Sequence, residues 1–268
     1  GWIANQLGAI DFAGGTAVHI NAGIAGLAAV LVLGKRAGFG REPFKPHNLT
    51  LVMVGAGLLW FGWFGFNAGS AVASNAAAGI TFLNTFVATG AAMLAWLIVE
   101  KIRDGHATSL GAASGVVAGL VAITPACSSV DPLGAIAVGA ISSVLSSLAV
   151  GLKYKLGYDD SLDVVGVHLV GGLSGSLLVG LFATAAAPAG VDGLLYGGGS
   201  GQLVKQAIAC GAVLAYSFIV TLIIVKLIDV TMGFRISQEA EITGIDLAVH
   251  AETAYEIGNV GSSRGGSF

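Results

Sequence analysis

Two histidines stand in strongly apolar surroundings, His19 in VHINAGIAGLAAVLVLG and His168 in VHLVGGLSGSLLVGLFA. A neutral imidazole donates from one ring nitrogen and accepts at the other. Two rings in contact therefore share a proton and each keeps an edge free for a small polar molecule. Burial favours the neutral form, so such a pair holds a polar guest or relays a proton without carrying net charge. The plain alternative is a histidine satisfied by a hydrogen bond to a neighbouring helix. Bis-histidine ligation of a metal or haem is a third use, which needs room for a macrocycle that Gly/Ala-rich helices do not offer.

Around the histidines lie other groups with chemistry of their own. Asp11, ahead of His19, has the type and place of an N-cap carboxylate, and its field would also stabilise a cation at the outer mouth. Asp163 is expected to cap the helix of His168 in the same way. The stretch WFGWFGFNAGS (60–70) carries Trp60, Trp63, Phe64 and Phe66, with Ser70 close behind. Aromatic faces beside a hydroxyl suit a cation–π site, while an interfacial belt accounts for some of the same residues. No acidic ring accompanies them, as a conventional cation channel would want. The combination predicts a cation weakly recruited outside and a less charged species passing the middle.

The elements that must hold these residues are membrane helices. The chain has 268 residues, 55 % hydrophobic and 10 % charged, with 42 glycines and mean hydropathy +0.85. Soluble domains run near a quarter charged. A net charge of −3 argues against nucleic acid as a partner. Cys127 and Cys210 sit in separate apolar runs and suggest neither a disulfide framework nor a metal site.

Spanning hydrocarbon takes about 20 apolar residues in a helix. Seven segments are expected to do so: 9–33, 49–72, 76–99, 107–126, 132–152, 162–184 and 202–229. Nothing shows the alternation of a barrel. The fold class is thus an all-α membrane protein, a polytopic helical bundle. Residues 1–229 form the membrane domain and 230–268 a polar tail, ending in a loose Gly/Ser segment, GSSRGGSF. Lys35, Arg36, Arg41, Lys45, Lys101, Arg103, Lys153 and Lys155 fall in alternate connections, with Lys226 and Arg235 at the far end of the last span. The other connections carry none, and only Lys205, at the start of that span, lies on their side. By the positive-inside rule the start lies outside and the C-terminus in the cytoplasm.

The histidine segments echo each other. Each reads Val-His, with glycine four and seven positions on: Gly23 and Gly26, Gly172 and Gly175. These glycines share a helical face with the histidine and let a neighbour come close. The topology sends the two spans through the membrane in opposite directions, the mark of an inverted repeat with its transport site at the interface.

The segments DFAGGTAVHINAGIAGLAAVLVLGKR (11–36), GWFGFNAGSA (62–71), LGAASGVVAGLVAITPA (110–126), DVVGVHLVGGLSG (163–175) and GIDLAVHAETAY (244–255) resemble, in order, those of the ammonium transporter family, which includes the Rhesus glycoproteins. The likeness covers residues 1–256 and is nearer the bacterial branch. It implies an eleven-helix inverted-repeat fold, of which this chain, opening on Gly1, corresponds to spans five to eleven. The first four spans are expected upstream. It further implies that His19 and His168 are the twin pore histidines, Phe66 one of two stacked gating phenylalanines, and Ser70 the hydroxyl of the outer recruitment site. By the same likeness Trp63 lines the pore and Asp11 lies below the recruitment site. A homotrimer in the plasma membrane (the inner membrane in bacteria) is implied, together with a PII-class regulatory protein at the cytoplasmic mouth and no cofactor or enzymatic activity.

The energetics agree with transport by deprotonation. A bare ion in a dry pore costs tens of kcal/mol, whereas deprotonating ammonium at pH 7 costs about 4 kcal/mol if it titrates near lysine. Net ammonium transport is therefore expected, with ammonia passing the histidines and its proton relayed through them. A Rhesus-like ammonia gas channel and an ammonium sensor are the related alternatives, and a bis-histidine haem protein is the unrelated one.

Overall fold

The computed structural model describes residues 1–253 and 255, so the segment GSSRGGSF lies outside the described residues. Seven main helices follow a short turn at Trp2–Leu7. They are α1 (Gly15–Leu33), α2 (Leu49–Gly69), α3 (Ala76–Asp104), α4 (Ser109–Ile123), α5 (Pro132–Ala149), α6 (Val165–Phe182) and α7 (Gly201–Met232). There are no strands among the described residues.

Caps set the helix starts. Asn48, Asn75 and Thr108 accept from the backbone N–H three residues on, and Asp131 does so with Pro132 at the first helical position. Each satisfies a donor that the helix itself leaves open. Six of the seven helices, counting the short Leu152–Leu156 turn as an extension of α5, are long and apolar enough to cross a membrane. The seventh, α4, is a shorter apolar helix. The apolar run 107–126 is helical only over Ser109–Ile123, 15 residues, because the chain turns at Thr124–Pro125. At 1.5 Å per residue that is about 22 Å of regular helix. Its C-terminal connection is buried inside the bundle, where Asn84 donates to the carbonyls of Cys127 and Val130. Irregular backbone at membrane depth survives only with such partners.

α3 is clasped between α4 and α5 by small residues. Ala88, Ala92 and Thr89 meet Gly119 and Gly139, with Ala88 and Ala92 wholly buried. Close backbone contact, rather than expulsion of water, is what holds helices together in lipid. Gln206 on α7, fully buried, accepts from the Ile10 amide and donates to the carbonyls of Ile10 and Ser176. It thereby pins the segment leading into α1 against α6 and α7.

The basic connections gather at one end. Arg36 forms a bidentate pair with Asp159 at 2.8–2.9 Å, Arg235 reaches the Leu33 carbonyl, and Glu241 accepts from the Ala37 amide. At the opposite end Tyr196 donates to Asp131 and Gln202 to the Gly8 carbonyl.

Candidate functional site

Both histidines arise in the same local device. α1 and α6 each open with a wide turn, Gly15–Ile20 and Val165–Leu169, and His19 and His168 fall within them. Such widened turns cluster at functional sites because they shift side chains out of helical register. A carboxylate organises each start. Asp11 accepts from the amides of Gly15, Thr16 and Ala17 and from the Thr16 hydroxyl. Asp160 accepts from the amides of Val164 and Val165 at 2.9 and 2.7 Å.

The expectation that Asp163 caps the helix of His168 is therefore corrected: the cap is Asp160. Asp163 pairs with Lys153 at 2.6 Å instead. The reason is reach, since the cap must sit far enough ahead of a widened turn to accept from its first free amides. Asp11 precedes His19 by eight positions, and Asp160 precedes His168 by the same eight. That shared spacing was the available signal.

The two helices cross in opposite directions, because early Gly15 of α1 faces later Gly172 of α6, and later Gly26 faces early Val164. The glycines are reciprocal. A methyl at Gly23 would run into the backbone of Leu169, and one at Gly172 would stand 3.0 Å from His19 Cβ. With that clearance the rings meet, His19 Nδ1 and His168 Nδ1 lying 3.3 Å apart with centroids 5.4 Å apart. One nitrogen donates and the other accepts, so the remaining edges of the pair carry one N–H and one lone pair. The Nδ1 atoms are thus engaged with each other, and a metal held by this pair would have to be bound through the Nε2 edges.

Aromatic groups roof the pair on one side. Trp63 stacks on His19 at 5.2 Å and 18°, and Phe66 touches both, 6.1 Å from His19 and 5.2 Å from Trp63. Trp60 and Phe64 face away, packing on Phe86 and Phe82 of α3. Ser70 lies at the end of α2 with its hydroxyl donating to the Phe66 carbonyl at 2.9 Å. Asp11 has its carboxylate filled by local donors.

A buried polar chain orients the tryptophan, and it was not read from the sequence. Trp63 Nε1 donates to Thr124 Oγ1 at 3.0 Å, and the Thr124 hydroxyl lies within hydrogen-bond reach of the Leu120 carbonyl and Asn67 Oδ1. Asn67 in turn donates to Thr85 at 3.0 Å. Asn67 and Trp63 lie four apart on α2, the one hint of a shared face.

The histidines form the floor of a continuous groove. Its outer part, about 500 Å³, is lined by Val18, His19, Leu58, Trp63, Phe66 and His168. Its inner part, about 680 Å³, shares Gly55, Leu59 and His168 and ends among Arg36, Lys153, Tyr154 and Asp163. Val18, Leu58 and Phe66 are exposed, so one long side is open. The outer half offers aromatic and aliphatic walls with two imidazole edges, and the inner half offers charge.

Comparison with known proteins agrees with the resemblance. The family profile described as Ammonium Transporter Family matches residues 1–255. An ammonium transporter of Mycobacterium tuberculosis (strain ATCC 25618 / H37Rv) is 63% identical over 262 residues, covering 96% of this chain and 55% of the relative. One of Bacillus subtilis (strain 168) is 46% identical over 258 residues, 96% of this chain and 63% of the relative. Among solved structures, Mep2 of Candida albicans superposes with TM-score 0.82 at 37% identity, covering 89% of this chain and 55% of that one. A structure titled Sensor Amt Protein superposes at 0.84 with 33% identity, covering 93% and 62%. The chain spans about half the length of the curated relatives it matches.

Proposed function

Because the chain belongs to the ammonium transporter family, we propose that it supplies one wall of a pore for net ammonium transport across the plasma membrane. The observation that carries this reading is the contact of His19 with His168 at 3.3 Å on the floor of an apolar groove. In this reading Ser70 and Phe66, with Asp11 acting through its field, receive the cation outside. Ammonium is deprotonated there, since a bare ion inside would cost tens of kcal/mol. Ammonia passes beneath Trp63 and over the imidazole edges, and the proton follows through the histidine pair. The basic end of the bundle faces the cytoplasm by the positive-inside rule.

Assembly as a homotrimer and control by a PII-class protein at the basic end belong to the same reading, on the family resemblance. A sensor has one supporting observation, the similarity to the Sensor Amt Protein structure.

The test is the complete gene product in liposomes, with current and luminal pH recorded after an ammonium jump. The reading requires a wild-type current that disappears in His168→Ala while ammonia influx persists. Ammonia influx without current in the wild type would make the protein a gas channel. No influx of either kind, with binding retained, would turn the reading to a sensor.

A further inference from the structure

The inner end of the groove holds a charged pair that the histidine relay does not use. Lys153 Nζ lies 2.6 Å from Asp163 Oδ1 and also donates to the Asp160 carbonyl at 3.1 Å. The lysine side chain is 13% exposed and the aspartate side chain 37%, so the pair is a half-buried clamp that the groove can still reach. Asp163 stands in the left-handed region at φ 57°, a strained place for a residue with a Cβ. Its carbonyl accepts from Val167, the residue before His168. Strain of this kind persists only where the surroundings enforce it, and it gathers at functional sites. His168, Asp163 and Lys153 line one and the same inner cavity.

We propose that Asp163 is the inner proton acceptor of the pathway, taking the proton that leaves His168 and returning it to ammonia at the cytoplasmic mouth. This rests on the transport reading above. In the first step an N–H bond of the His168 imidazolium breaks, an O–H bond forms on Asp163 through cavity water, and both groups become neutral. In the second the O–H bond breaks and an N–H bond forms on ammonia, so the carboxylate is restored and ammonium re-forms. The second step runs downhill, because ammonium titrates near lysine and a carboxylic acid is several units more acidic.

The charged surroundings fit both steps. Facing Asp163 are Asp160 on its own segment, Lys153 and Tyr154 on the Leu152–Leu156 turn, and Arg103 at the end of α3. Arg36 and Lys45 from the α1–α2 connection line the same cavity. Burial raises the Asp163 carboxyl above its ordinary range, with Lys153 opposing and Asp160 adding to the rise. A carboxylate that is easier to protonate suits an acceptor, and Lys153 keeps it from holding the proton. Arg36 and Lys45 repel the ammonium that forms and favour its release.

The test uses the complete gene product in liposomes, comparing wild type with Asp163→Asn and Asp163→Glu for current and luminal alkalinisation. Asparagine tolerates the left-handed region, so the backbone survives the first substitution. Expected is a fall in the Asn variant's current of about tenfold or more, with luminal alkalinisation taking its place, while the Glu variant keeps the current. An unchanged current in Asp163→Asn overturns the inference, as does an equal fall of current and ammonia influx in both variants. Wild-type ammonia influx without current overturns it too, leaving the protein a gas channel. Absence of any wild-type influx is the separate failure of the transport reading itself.

Discussion

Trp63 and Thr124 are joined by a buried hydrogen bond of 3.0 Å across 61 positions of sequence, and that bond turns the indole face onto His19. Thr124 holds this place because the chain leaves α4 there.

Removing the acceptor should therefore loosen both the bundle and the groove. Thr124→Val leaves the Trp63 N–H without its partner in an apolar interior, which costs about 1–3 kcal/mol. Equilibrium unfolding in detergent measures that loss. The ammonium-evoked current of the complete gene product should fall by about threefold to tenfold as the indole swings off His19, and Thr124→Ser should restore most of it. A Val variant of wild-type stability and current would show that stacking alone holds the ring.

The crossing of α1 and α6 should tolerate no added methyl. Gly23→Ala drives a carbon into the backbone of Leu169, and overpacking of this kind costs about 1–3 kcal/mol or more. Gly211→Ala on α7, where nothing lies within 4 Å, is the control and should stay within about 0.5 kcal/mol of wild type. Separation of the rings should also be visible as altered imidazole nitrogen shifts in Gly23→Ala. Equal stability of the two variants would mean that the helices slide apart at no cost.

At the basic end, the Arg36–Asp159 pair predicts an acid-sensitive latch. Burial pushes the Asp159 carboxyl up, but the side-chain and backbone bonds from Arg36 outweigh it and hold the group below the ordinary carboxylate range. A depressed folded value means the stabilisation is fully present above the unfolded value, near pH 4. It is lost as pH falls through the lower folded value. Unfolding midpoints should thus be flat in this pair's contribution from pH 5 to 8 and drop below about pH 4. Asp159→Asn should be destabilised by about 1–3 kcal/mol at pH 7 and show a shallower acid decline. The same acid slope in both proteins would remove Asp159 from the latch.

The histidine pair was legible in the sequence because an imidazole and a glycine four positions on share one helical face in each copy. The glycines at +4, Gly23 and Gly172, are the points of closest approach between α1 and α6, whereas of the +7 glycines Gly26 faces Val164 and Gly175 packs on Ala122 of α4. Phe66 and Trp63 were legible as an aromatic cluster, but that both turn toward His19 was not. Only the structure separates them from Trp60 and Phe64, since residues three or four apart on α2 meet different neighbours. Thr124 and Asn67 were invisible for another reason. Threonine and asparagine in an apolar run carry no periodic mark, and their partners sit dozens of residues away. Asp160 was masked by the nearer Asp163, because cap spacing from ordinary helices does not hold when the first turn is widened. The regular helix of α4 ends before its apolar run does, because hydropathy reports what a segment can be buried in and not where its backbone turns.

The groove with one open side separates two capabilities. Both members of the proton-sharing pair, the tryptophan above them and the carboxylate–lysine pair below lie on the same wall, folded from one continuous stretch of chain. The proposed acid–base behaviour therefore belongs to this stretch by itself, and nitrogen resonances of the imidazoles can be followed in it. Containment is a different matter. In a bilayer, acyl tails would wet the exposed flank of Val18, Leu58 and Phe66, and a gutter of this kind retains no column of ammonia. On the proposed transport reading, conduction depends on a facing surface that seals the flank, whereas the chemistry of the proton does not. A defect in the seal and a defect in the relay should then be different phenotypes: the first loses substrate sideways, the second loses only its charge.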